Sequence, residues 1–223
     1  MEFKVNVPNN LSEITLAQYM KYENLVNVNK DDVNSESFIS LKMLEIFCNV
    51  PYDQAIALKI KDVTHIVNII SDTINSKPEL VERFSMGGVE FGFIPKIEDM
   101  SFGEYIDLDM FMGDWTNMHK AMAVLYRPIE QQLGGKYRIK SYDPGQYDEL
   151  MMNMPMDAVV SSLVFFYRLG IELSQGIVNY LENQEKTAIQ DFNRSHLNGV
   201  GISRFTHSLK EMLDDLMILP NWE

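Results

Sequence analysis

Between Glu82 and Pro95 the apolar residues stop recurring at every third or fourth position and begin to alternate. In "ERFSMGGVEFGFIP", Phe84 and Met86 alternate with polar neighbours, Gly87-Gly88 permits a tight turn, and Val89, Phe91 and Phe93 alternate again. The spacing predicts a β-hairpin over about 82–95, ended by Pro95. On both sides of it the period is helical. The expected fold class is therefore mainly α, a helical domain with one small β-hairpin.

The helical signals come in series. "TLAQYMKYENLV" opens with Thr15 and places Gln18 three residues on, a capping-box pattern. Ser35 to Cys48 carries Phe38, Leu41, Leu44 and Ile46 or Phe47 at helical spacing, and Pro51 begins a short helix. Asp62 is placed to cap "VTHIVNIISDTIN", whose Val63, Ile66, Val67, Ile70 and Ile74 form one stripe.

After the hairpin, Ser101 and Glu104 make a second capping box, and Gly113-Asp114 breaks the chain and caps a helix up to Arg127, which Pro128 stops. "GGKYRIKSY" predicts a short strand, Asp143-Pro144-Gly145 a turn, and Gln146 to Asn153 a helix. A long central helix is expected over about 156–183, with Val160, Leu163, Val164, Phe166, Leu169, Leu173, Ile177 and Leu181 on a wide apolar face. A polar interval leads to a last amphipathic helix, "SRFTHSLKEMLDDLMIL", able to dock on another subunit. The chain divides into an N-terminal helical part (1–76), a hairpin and capped-helix insertion (77–142) and a C-terminal helical part (143–223), expected as lobes of one structural domain.

With 223 residues, 46% hydrophobic and 23% charged, the chain can bury a sizeable core and lies far from the composition of disorder. Nineteen basic against thirty-two acidic residues leave a net charge of -13, which disfavours a primary nucleic-acid binder. The single Cys48 excludes an intrachain disulfide framework and fits a reducing cytoplasm. No secretory signal is expected. The most apolar stretch, Ala158 to Tyr167, is about half the ~20 residues of a membrane span, so no membrane is expected as partner. The fifteen methionines suggest adaptable packing, mostly in the core.

Motifs of catalysis and metal binding fail on their spacing. Asp107-x-Asp109 starts like an EF-hand, but Phe111 replaces the next ligand, the glycine is displaced to Gly113, and Met118 stands at the final glutamate position. His65, His119, His196 and His207 lack zincin spacing, and the packing position of His119 one turn after Trp115 suits a half-buried or hydrogen-bonded side chain. "GGKY" is no phosphate loop, "GVGISR" lacks a third glycine, and no G-x-S-x-G elbow occurs. No cofactor and no metal are expected. A small acid-base or metal enzyme using Asp107, Asp109 and His119 is the alternative of another class.

The charges, in contrast, segregate. Glu98, Asp99, Glu104, Asp107, Asp109 and Asp114 occur with no Lys or Arg between them, while Lys120, Arg127, Lys136, Arg138 and Lys140 follow with only Glu130 in opposition. One explanation is a solvated face. The other is a subunit interface in which Glu104, Asp107, Asp109 and Asp114 of one copy meet Arg127, Arg138 and Lys140 of the next, as a head-to-tail ring requires.

"GFIPKIEDMSFGEYIDLD", followed by "DWTNMHKAMAVLYRPI" and by "FF" at Phe165-Phe166, resembles a family of uncharacterised tailed-phage proteins. They occur in phages that infect Bacteroides and relatives, the crAss-like phages included. The resemblance spans about Leu11 to Asn183 and is strongest over Gly92 to Ile129. It implies a virion or virion-assembly protein, not an enzyme, assembled in the bacterial host cytoplasm. The expected role is a head-to-tail connector or tail ring subunit in many copies, its partners being itself and other portal or tail proteins. DNA would be passing cargo only, which a negatively charged conduit does not hold. A tail-assembly chaperone absent from the mature virion is the alternative.

Overall fold

The computed structural model describes residues 4–30 and 35–182, with side chains as far as residue 172. The described chain is mainly helical with a four-stranded antiparallel sheet. The helices are α1 (Leu16–Asn29), α2 (Ser35–Cys48), α3 (Tyr52–Ala55), α4 (Ile60–Ile74), α5 (Phe102–Phe111), α6 (Met118–Leu125), α7 (Asp148–Met151) and α8 (Met156–Glu182). The strands are β1 (Arg83–Met86), β2 (Val89–Phe93), β3 (Tyr126–Leu133) and β4 (Lys136–Ile139), lying side by side in chain order.

Helix α1 starts at Thr15 with the expected capping box. Its first amides are all engaged: Leu16 and Ala17 donate to the Met154 and Met152 carbonyls at 2.9 and 2.8 Å, and Gln18 donates to Thr15 Oγ1. Because those amides have no partner inside the helix, residues 152–154 complete it. Met156 N–H donates back to Ile14 at 2.9 Å, and Thr15 bridges Pro155. Helix α4 corrects one expectation. It begins at Ile60 after Lys59, so Asp62 lies inside the first turn, where its charge suits the helix dipole but it caps nothing.

The β1–β2 hairpin forms as predicted, with Gly87 and Gly88 both at positive φ, 58° and 79°. It is half of a larger sheet. The helix expected to run to Arg127 ends at Leu125, because Tyr126 and Arg127 are already extended and paired with Phe93 and Gly92 of β2. A residue before proline disfavours the α conformation, which helps set that boundary. Pro128 sits where β3 passes from pairing with β2 to pairing with β4, and its carbonyl accepts from Lys140 N–H at 2.9 Å. The helix expected over Gln146 to Asn153 is shorter, confined to α7.

One hydrophobic cluster joins the elements, with Leu16 and Tyr19 of α1, Leu44 of α2, Ile70 of α4 and Met122 and Leu125 of α6 almost or wholly sealed from solvent. In α8, Val159, Val160, Leu163 and Phe166 are buried, and Phe93 of β2 packs its ring against Phe165 and Phe166 at 5.5 and 6.1 Å. Met43, Met112, Met118, Met122, Met151, Met154 and Met156 are all core residues, in keeping with thioethers filling irregular gaps. Cys48 is buried. The polar interval and the last amphipathic helix expected beyond α8 lie outside the described residues.

Candidate assembly surface

Helix α5 is fixed at its start by the second expected capping box. Ser101 Oγ accepts from the Glu104 amide at 3.3 Å, and Ser101 N–H donates to Glu104 Oε2 at 2.7 Å. The other carboxylate oxygen faces inward, 2.6 Å from Arg127 Nη1 on β3, and the Arg127 and Glu104 side chains are only 6% and 8% exposed. Burial pushes the Glu104 carboxyl up, but the Ser101 hydrogen bonds and the Arg127 guanidinium outweigh it and hold it below the ordinary value. Arg127 also lies 5.8 Å from the centre of the Tyr142 ring, and the Tyr142 hydroxyl donates to Asp107 Oδ2 at 2.7 Å. Two carboxylates one turn apart therefore hold α5 down.

Gly92, opposite Arg127, lets the sheet close over these contacts. A Cβ there would collide with the Tyr137 ring. That ring crosses β2 so that its hydroxyl donates to the Phe93 carbonyl at 2.7 Å, with the Arg83 guanidinium 4.5 Å from its centre.

These contacts correct the charge-based interface. Glu104 and Arg127 drop out of it, because they neutralise each other away from solvent. Asp107 is half-buried and engaged by Tyr142. Asp114 is exposed, yet its carboxylate accepts from Thr116 N–H and Oγ1 at 2.9 and 2.6 Å and from Asn117 Nδ2 at 2.7 Å, starting the turn Trp115–Asn117. Burial raises the Asp114 carboxyl, and those hydrogen bonds bring it below the ordinary value. Asp109, Arg138 and Lys140 are exposed, and Arg138 Nε is 3.9 Å from Glu130 in an open pair of little strength.

The residues of the enzyme alternative have separate environments. Asp107 is bound to Tyr142, Asp109 is in solvent, and His119 is half-buried on α6, its Nδ1 buried and without a hydrogen-bond partner. Burial holds the His119 imidazole below its ordinary value against the opposing pull of Asp148 and Glu149. Among the described residues no three His, Cys, Asp or Glu side chains are grouped to hold a metal ion.

What residue spacing did not single out is the outer face of α5. Phe102, Ile106 and Met110 recur every four residues and are 77%, 43% and 65% exposed. Tyr105 stacks beside Phe102. Glu104, Leu108 and Met112 are the buried positions, two residues out of step and so about 200° round the helix. The signal was present in "FGEYIDLDMF", whose apolar residues encircle the helix although it is short and capped. The row is left exposed, and the exposed Asp109 stands beside Met110.

A second missed feature is a groove beside the edge strand β4, with a cavity of about 320 Å³. Ile94, Pro95 and Ile139 supply apolar walls, and Lys96, Arg138 and Asp99 supply charge. No protein-family model, curated protein or solved structure matches this chain.

Proposed function

We propose that this chain is a bacteriophage structural protein, a head-to-tail connector or tail ring subunit that forms a ring of many copies. One observation carries the reading: α5 presents Phe102, Ile106 and Met110 to solvent while its opposite face is locked to the sheet by the buried Glu104–Arg127 pair. A rigid helix with an uncovered apolar row is built to meet another protein surface. The net charge of -13 suits a subunit around a DNA conduit, because it repels the passing duplex. In this role α8 is the central helix of the subunit, and the ring is assembled in the host cytoplasm with portal or tail proteins as neighbours.

Quantitative mass spectrometry of purified particles tests the proposal. Copies in a fixed ratio to the portal protein, in the range of a ring, support it. Absence from mature particles, with the protein found only on unassembled tail components, overturns it in favour of an assembly chaperone.

A further inference from the structure

We infer that His119 is an acid-sensitive joint between α6 and α7: the packing there accommodates a neutral imidazole, and protonation loosens it. The inference goes beyond the assembly role and stands without it. His119 is flanked on α6 by Met118 and Met122, both sealed from solvent. Its Nδ1 is buried and has no hydrogen-bond partner among the described residues. Trp115 Nε1, one turn earlier, is buried without a partner too, and an indole N–H is a donor that supplies no acceptor. The neutral ring fits with a bare lone pair on Nδ1 and its one proton on Nε2, because a buried acceptor left bare is better tolerated than a buried donor.

Protonation changes that balance. An imidazolium carries N–H on both nitrogens, so Nδ1 becomes a buried donor on a charged ring with no acceptor in place. The carboxylates that act on the ring are Asp148 and Glu149, which open α7, and Lys120 on its own helix opposes them. Burial outweighs the carboxylates and keeps the folded-state value below the ordinary one of about 6.5. The stability that a neutral His119 contributes is therefore full above about pH 6.5 and is lost as pH falls through the lowered folded value. Because the side chain is only half-buried, protons reach it without opening the core.

Relief for the charged ring lies toward Asp148 and Glu149, the acceptors that act on it. Helix α7 is a single turn whose Met151 is wholly buried, and it runs directly into Met152 and Met154, whose carbonyls complete the start of α1. A shift of α7 is thus passed to the Leu16 and Ala17 amides.

Fluorescence of the full chain tests the joint, with Trp222→Phe leaving Trp115 as the one indole and the His119 proton followed by NMR. The expected result is a single transition with its midpoint below about pH 6.5. Across it Trp115 emission should shift, and the Met151, Leu16 and Ala17 amides should lose exchange protection. His119→Gln should abolish the transition. Asp148→Asn with Glu149→Gln, at half-buried and exposed positions, should move the midpoint to lower pH, because the two carboxylates favour the charged ring.

A His119 value at or above about 6.5 overturns the inference, as does emission or protection that stays unchanged while His119 titrates. So does a transition that survives in His119→Gln, or a midpoint that stays in place in the α7 double variant. If His119→Gln does not fold, the α7 double variant decides by itself.

Discussion

Replacing Arg127 by Met should be among the most damaging single changes on the described surface of the sheet. The substitution keeps an unbranched side chain of similar length but leaves Glu104, 8% exposed, with only Ser101 to stabilise its charge. Removing one partner of a buried ion pair costs about 3–5 kcal/mol, and the surviving Ser101 hydrogen bond places this case near 3 kcal/mol. Glu104→Gln should cost about 2 kcal/mol, since the amide oxygen still accepts from Ser101 while Arg127 loses its counter-charge. Combining the two removes both charges together. The double variant should then fall about 2 kcal/mol short of the summed single costs.

Urea unfolding followed by far-UV circular dichroism is the assay. With a slope of about 2 kcal/mol per molar urea, the Arg127→Met midpoint should drop by about 1.5 M. The pH dependence has a definite sign. The folded-state Glu104 value is depressed, so the stability from its ionisation is present above the unfolded carboxyl value of about 4.3 and is lost as pH falls through the folded value. The gap between the parent and Glu104→Gln should be full at pH 7 and shrink below about pH 4. Additive single costs, together with a gap unchanged by acid, would refute the idea that this pair anchors α5.

Gly92→Ala should destabilise by about 2 kcal/mol, because the added methyl meets a Tyr137 ring held by the Phe93 carbonyl, and Tyr137→Ala in the same chain should relieve the clash. Thermal melts of the single and double variants distinguish relief from simple addition. Burial pushes the Cys48 thiol up to about 11, so at pH 8 a thiol reagent should label it only after denaturant is added; rapid labelling of the native protein would contradict its placement. Asp114→Ala removes the carboxylate that starts the turn before α6 and should cost about 1 kcal/mol, measured by urea unfolding.

The elements legible in the sequence were those set by local chemistry. The capping boxes at Thr15–Gln18 and Ser101–Glu104 each need only four residues, and the β1–β2 hairpin announces itself by alternation around Gly87-Gly88. Strand β3 was not legible, because it starts inside the apolar run of α6 and its partners, Phe93 and Gly92, lie more than thirty residues away. The second Gly-Gly turn, at Gly134 and Gly135, has the same positive φ pattern as the first and was the available clue to that missing strand. Charge order showed where acids and bases segregate but not which of them face inward. Glu104 and Arg127 differ from Asp109 and Arg138 only in three-dimensional direction, although Arg127 sits between apolar Tyr126 and Pro128 and Glu104 was already committed to a cap.

The stitching of the first turn of α1 to residues 152–156 has a consequence for synthesis. Leu16 and Ala17 emerge from the ribosome long before Met152 and Met154 exist to accept their amide hydrogens. Until then the start of the first helix faces water, and the loop that must close spans most of the described chain. Amide hydrogen exchange at those two residues would report this directly: fast in a nascent chain halted before Met152, slow once the segment preceding α8 has been added.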